Sequence, residues 1–125
     1  MHIVDLRPEN ELTIRQVAAL LVEGFAINWP GSWQDLESAL EEVRKFFATG
    51  RISRIAQDSS DGRVLGRIGG ISQYWSHVWE LHSLVVRISQ QGKGIKRAFL
   101  VKILYLCYNQ VVIFPTRSFV YIVAN

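Results

Sequence analysis

The chain has 125 residues, 49% of them hydrophobic and 20% charged, with a formal net charge of +3. That length fits one domain able to bury a core, and so apolar a composition with so little net charge excludes a disordered chain. Nine glycines and three prolines exclude a collagen-like or Pro-rich chain, and a single cysteine, Cys107, excludes an internal disulfide framework and a cysteine-based zinc site.

The charge is unevenly spread. Glu80 is the one carboxylate side chain after Asp61, against eight lysines and arginines from Arg63 onward. A basic second half points to an anionic partner, whether phosphate groups, nucleic acid or a membrane surface; a solvated basic face is the plain alternative. The opening residues MHIVDLRPENE hold no long apolar run, so no secretory signal is expected and a reducing cytoplasm is.

In chain order, residues 2–7 read as a short strand closed by Pro8. Thr13 is the expected cap of a helix whose Ile14, Val17, Ala18, Leu21, Val22 and Phe25 recur at helical spacing. Gly24 weakens its last turn, and Asn28, Trp29, Pro30 and Gly31 make a loop. Ser32 with Asp35 resembles a capping box ahead of a second helix. Trp33, Leu36, Leu40, Val43 and Phe47 form its inner face, and Glu37, Glu41, Glu42, Arg44 and Lys45 its outer one. The period then changes. Residues 51–57 and 63–73 read as a hairpin turned at Asp58–Gly62, with Gly66, Gly69 and Gly70 marking a bulge or close backbone approach. Residues 78–87 are mostly apolar and read as a central strand buried on both faces. A helix over 95–108 is apolar nearly all round, so its burial is expected, and strands follow at 111–114 and 118–123. Lys102, Asn109 and Gln110 interrupt the last apolar run, so no membrane span is expected. This order predicts a single layered domain over 1–125, of the α/β or α+β class.

The sharpest local signal is Gln91-Gly92-Lys93-Gly94-Ile95, between the apolar strand and the apolar helix. A helix start presents unpaired N–H groups and a partial positive charge, and glycines admit a phosphate close to the backbone. Lys93, Lys96 and Arg97 add cations. The loop is neither a Walker A motif nor the dinucleotide G-x-G-x-x-G. A plain strand-to-helix turn is the alternative.

Residues 64–100 resemble the GCN5-related N-acetyltransferase (GNAT) superfamily, and the likeness extends over residues 1–100. Val64-Leu65-Gly66 matches a hairpin strand of that family. Gln91 and Gly94 match the first and fourth positions of its pyrophosphate loop, Gln/Arg-x-x-Gly-x-Gly/Ala. The run Trp79-Glu80-Leu81-His82-x-Leu84-Val85-Val86 is similar to that of aminoglycoside 6'-N-acetyltransferase-related proteins. The resemblance implies a GNAT-type mixed, mostly antiparallel sheet flanked by helices, in the order β-α-α-β-β-β-α-β. It implies acetyl-CoA as co-substrate and direct acetyl transfer to a primary amine of a small molecule. It implies that Leu84, Val85 and Val86 bind the pantetheine arm through their backbone and that Gln91, Gly92, Lys93, Gly94, Ile95 and Lys96 bind the pyrophosphate. Two departures stand out. Lys96 occupies the sixth loop position, where the family has a small residue. Residues 101–125 do not resemble the family's ending, with its further helix, C-terminal hairpin and thiolate-protonating tyrosine, so a truncated C-terminal region is expected.

Glu80 is the expected base, with His82 two residues on and thus on the same strand face. The alternative is a buried Glu80 paired with an arginine such as Arg67. The resemblance also implies that the loops carrying Trp29 and Tyr74 line the acceptor site, so these two residues are expected to shape it. Asp35, Glu37, Glu41 and Glu42 would attract a polycationic amine, unless they are only a solvated face. No metal-ligand spacing is present in the sequence, and Cys107 reads as inert core. The competing readings are an inactive GNAT remnant that still binds CoA, and a nucleic-acid-binding module built on Arg87, Lys93, Lys96, Arg97 and Lys102. The second is disfavoured because these cations cluster at one phosphate-sized loop. No membrane partner is expected, and a homodimer is left open.

Overall fold

A computed structural model describes residues 1–25, 33, 35–73, 78–106, 111–115 and 120–124. The strands are β1 (His2–Asp5), β2 (Arg51–Gln57), β3 (Val64–Gln73), β4 (Val78–Val86), β5 (Val111–Pro115) and β6 (Val120–Ala124). The helices are α1 (Glu11–Phe25), α2 (Leu36–Lys45) and α3 (Ile95–Leu106). The strands form one sheet in the order β1-β2-β3-β4-β6-β5, each neighbouring pair antiparallel. Two cores lie on its two faces. Ile14, Val17 and Leu21 of α1 and Ala39, Leu40 and Val43 of α2 pack on Ile55, Val64 and Val85. Ile95 and Phe99 of α3 pack on Ala56, Leu65, Ile68 and Leu81. The fold is α+β, as the sequence implied.

The helix starts differ from the sequence reading in detail. Asn10, not Thr13, caps α1: its Oδ1 accepts from the Thr13 N–H at 3.3 Å, and Thr13 lies buried inside the first turn. Asp35 itself caps α2, its Oδ1 accepting from the Ser38 N–H at 2.8 Å. The backbone hydrogen bond from Ser38 is the main reason the Asp35 carboxyl sits below its ordinary range. Ser32 lies outside the described residues. Trp33 therefore precedes the helix and meets the Phe25 ring edge-on at 4.9 Å. Leu36 is exposed, and Phe46 takes the buried place at the other end. Leu40 and Val43 are buried as expected, and Trp33 and Phe47 pack half-buried on the same core, so of the expected inner face Leu36 alone departs.

The β2–β3 hairpin turns where Asp58 and Gly62 required it. Asp58 Oδ1 accepts from the Ser60 N–H and hydroxyl, and Gly62 has φ +74°. Two bulges follow. Ala56 faces Gly66 while Gln57 faces Val64, so Leu65 is an extra residue in β3. Arg67 faces Val85 while Gly69 faces His82, so Ser83 and Leu84 of β4 stand against Ile68 alone. The second bulge reverses the alternation of β4. Leu81, Leu84 and Val86 pack on the α3 side, and Val85 turns to the α1/α2 side. Helix α3 is not buried all round: Ile95 and Phe99 face the sheet, while Lys96, Arg97 and Val101 are exposed.

Candidate functional site

The loop after β4 is a short 3₁₀ turn, Ile88–Gln90, followed by two glycines in the left-handed region, Gly92 at φ +79° and Gly94 at φ +83°. An L-residue there costs roughly 1–2 kcal/mol, which accounts for glycine at both. A Cβ on either would meet nothing within 4 Å, so the loop backbone borders open space. Helix α3 begins at Ile95, and the Ala98 N–H donates to the Gly94 carbonyl at 2.9 Å. The N–H groups of Ile95, Lys96 and Arg97 therefore have no acceptor within the helix.

The loop is tied to the strand beneath it. The Gln91 Nε2 donates to the Val86 carbonyl at 3.2 Å, so this side chain staples the loop. Arg87 donates through Nε and Nη2 to the Val64 carbonyl at 3.1 and 3.0 Å, clamping the end of β4 to the bulge of β3.

A cavity of about 670 Å³ opens here. Its floor is apolar, made by Leu84, Val86 and Ile95, and its rim carries Gln90, Gln91, Gly92 and Gly94 with Lys96 and Arg97. An apolar trough ending at unpaired N–H groups and two cations fits a long thin ligand with an anionic end. Strand β6 pairs with β4 only over Val78–Leu81. Among the described residues, the β4 edge from His82 to Val86 thus has no strand partner on that side. A coenzyme A arm fits these residues: a main-chain edge without a strand partner among the described residues, on which Gln91 takes only the Val86 carbonyl, for its amides, and a cationic rim for its phosphates.

Seven expected cofactor residues meet at this cavity: Leu84, Val86, Gln91, Gly92, Gly94, Ile95 and Lys96. Val85 sends its side chain to the opposite core, and Lys93 is exposed and off the cavity wall. Gln90 and Arg97 line the cavity too. Arg97 stood out in the sequence as a cation, and Gln90 opens the loop 90–96 expected to hold the pyrophosphate.

Glu80 is 8% exposed. Its neighbour Leu81 packs on the α3 side, so alternation puts Glu80 on the α1/α2 side, across the sheet from the cavity. His82 is opposite Gly69, two register positions beyond Glu80 and before the bulge. Arg67 does not hydrogen bond to Glu80. Its Nε donates to Ser53 Oγ at 3.3 Å, its guanidinium lies 4.3 Å over the Phe46 ring, and Nη1 and Nη2 are buried without a hydrogen-bond partner among the described residues. Burial pushes the Arg67 guanidinium down to about 10, against an opposing pull from Glu42.

Trp29 and Tyr74 lie outside the described residues, as does Cys107. Asp35, Glu37 and Glu41 share a shallow cavity of about 760 Å³ with Ser38, Arg44 and Lys45. Among the described residues, no helix is long and apolar enough to cross a membrane, and no group of three His, Cys, Asp or Glu could hold a metal ion.

No family model and no curated protein matches the chain. Solved structures do. An aminoglycoside 6'-N-acetyltransferase complexed with coenzyme A is 30% identical, over 82% of this chain and 53% of that one, with a TM-score of 0.70. The aminoglycoside 6'-N-acetyltransferase from Enterococcus faecium has the same identity and coverage and a TM-score of 0.67. The chain therefore spans about half the length of these two. An aminoglycoside 6'-acetyltransferase type Ii shares the fold over 98% of this chain and 95% of its own, at 24% identity and a TM-score of 0.71. With its helix-flanked antiparallel sheet, its glycine loop at the start of α3 and these relatives, the chain belongs to the GCN5-related N-acetyltransferase superfamily.

Proposed function

We propose that the chain is an acetyl-CoA-dependent N-acetyltransferase that acts on a primary amine of a small, aminoglycoside-like molecule. The observation that carries this is the cavity where the glycine loop meets the unpaired edge of β4. The N–H groups at the start of α3, with Lys96 and Arg97, hold the pyrophosphate. The backbone of Leu84, Val85 and Val86 aligns the pantetheine arm. Acetyl-CoA supplies an activated acetyl thioester. Glu80 takes a proton from the acceptor ammonium, directly or through a water, with His82 two residues on along β4 as its helper. The freed amine nitrogen bonds to the thioester carbonyl carbon, the C–S bond breaks, and the proton that the nitrogen sheds in becoming an amide balances the one the leaving thiolate takes up. The acidic residues of α2 favour a polycationic acceptor.

The test is titration of the protein with coenzyme A in a calorimeter, followed by an acetyl-transfer assay with acetyl-CoA and an aminoglycoside. Heat of binding and thiol release are expected. Binding without transfer would leave a coenzyme A-binding protein that is not an enzyme, and no heat at millimolar coenzyme A would refute the donor site.

A further inference from the structure

We infer that Gly24 of α1 sets the position of the free β4 edge and so gauges the donor slot; this rests on the reading of that slot as the coenzyme A site. Gly24 lies in the last turn of α1, where the helix backbone presses on β4. A Cβ built on Gly24 comes to 2.3 Å from Val85 Cγ2, far inside van der Waals contact. Val85 is 6% exposed, and a β-branched side chain is stiff at χ1, so the methyl cannot swing aside. On the neighbouring strand, a Cβ on Gly66 would come to 3.0 Å from the Val85 carbonyl oxygen, 3.1 Å from Phe99 Cε2 and 3.3 Å from Ile95 Cγ2. Val85 is thus seated between Gly24, where a Cβ would collide with it, and Gly66, where a Cβ would be tight against its carbonyl.

Val85 directly follows the β4 bulge, and its neighbours Leu84 and Val86 floor the cavity. A helix backbone this close fixes where the bulge falls, and the bulge turns Leu84 and Val86 to the α3 side. A methyl at position 24 must push Val85, and the β4 backbone with it, toward α3 and into the slot. Helix formation does not explain the glycine, because alanine is the better residue inside a helix. Propensity alone predicts that Gly24→Ala raises the melting temperature; the gauge predicts a distorted slot.

The experiment compares wild type, Gly24→Ala, Val85→Ala and the double variant for coenzyme A affinity and for the backbone amide NMR shifts of residues 84–86 in the ligand-free protein. Gly24→Ala is expected to weaken coenzyme A binding about tenfold and to move those amides. The double variant, which removes the clashing methyl, is expected to return to the affinity and shifts of Val85→Ala. Unchanged affinity in Gly24→Ala, with or without a changed melting temperature, overturns the proposal. If wild type does not bind coenzyme A, the donor-site reading fails on its own, and the gauge is judged by the amides: moved and restored supports it, unmoved overturns it. Should Gly24→Ala alone fail to fold, a folded double variant with the shifts of Val85→Ala supports the gauge, and a double variant that also fails to fold overturns it.

Discussion

Replacing Gly92 or Gly94 by alanine separates loop conformation from loop contact. Both glycines have φ near +80° and nothing within 4 Å of a would-be Cβ. The methyl therefore meets no atom, and the whole cost is conformational. An L-residue in the left-handed region costs about 1–2 kcal/mol, offset by about 0.4–1 kcal/mol because alanine restricts the unfolded chain. The net loss is near 1 kcal/mol, or roughly 3–6 °C in melting temperature for a domain of this size. Gly50 and Gly62 provide the control, with φ of +81° and +74° and the same open surroundings. Gly50→Ala and Gly62→Ala should lose the same stability, since the backbone problem is the same. Only the Gly92 and Gly94 variants should also lose coenzyme A. Relaxing either φ turns away N–H groups whose charge-assisted bonds are each worth about 1.5–3 kcal/mol, so the Kd should rise about ten- to hundredfold. Differential scanning calorimetry reads the first quantity and isothermal titration the second. Four variants with equal melting losses and equal coenzyme A affinities would refute the loop as the phosphate site.

Glu80→Gln should lower kcat about 10²- to 10⁴-fold, as loss of a general base does, while coenzyme A affinity stays as in wild type; steady-state kinetics with unchanged kcat would remove Glu80 as base. Lys96→Ala should weaken coenzyme A binding and flatten its salt dependence; tighter binding would mean that the lysine obstructs the loop. Arg67→Met should be neutral or stabilising by about 1–4 kcal/mol in urea unfolding, because a buried cation with two donors unpartnered among the described residues gives way to an apolar chain of similar length; a strong destabilisation would show that the Ser53 hydrogen bond and the stacking on Phe46 outweigh the cost of burying the cation. Asp35 titrates below the ordinary aspartate range when folded, so its capping contribution is complete above that range and is lost as the pH falls through the folded value. Asp35→Asn keeps a capping acceptor but no titrating proton, so acid should destabilise wild type more steeply than this variant.

Signals carried by neighbouring residues were legible in the sequence. The hairpin at Asp58–Gly62, the strand over 51–57, the one-sided apolar pattern of α1 and the glycine loop before Ile95 each act over a few residues, and the fold honours them. Cap positions slipped by up to a turn, because Asn10 and Thr13, or Ser32 and Asp35, are all able to cap, and only tertiary packing chooses between them. The apolar run of α3 read as all-round burial, yet Val101 is exposed: hydrophobicity alone does not say which side a sheet will cover. Gly66, Gly69 and Gly70 marked a bulge or close backbone approach, and the register shifts fall beside Gly66 and between Arg67 and Gly69. That the extra residue at the second shift belongs to β4 was not legible, because no local pattern within one strand encodes how its partner pairs with it.

That bulge gives the uneven charge of the chain a spatial meaning. Without it, strict alternation would send Val85 to the α3 face with Leu81 and withdraw Leu84 and Val86 from it. With it, the α3 face has an apolar trough that ends at Lys96 and Arg97. The other face carries Glu80 beneath the helices whose outer surface bears Asp35, Glu37 and Glu41. On the proposed reading, an anionic donor is drawn to one side of the sheet and a cationic acceptor to the other, where Asp35, Glu37 and Glu41 outnumber Arg44 and Lys45. On that same reading the two meet at the β4 edge, where pairing with β6 stops after Leu81.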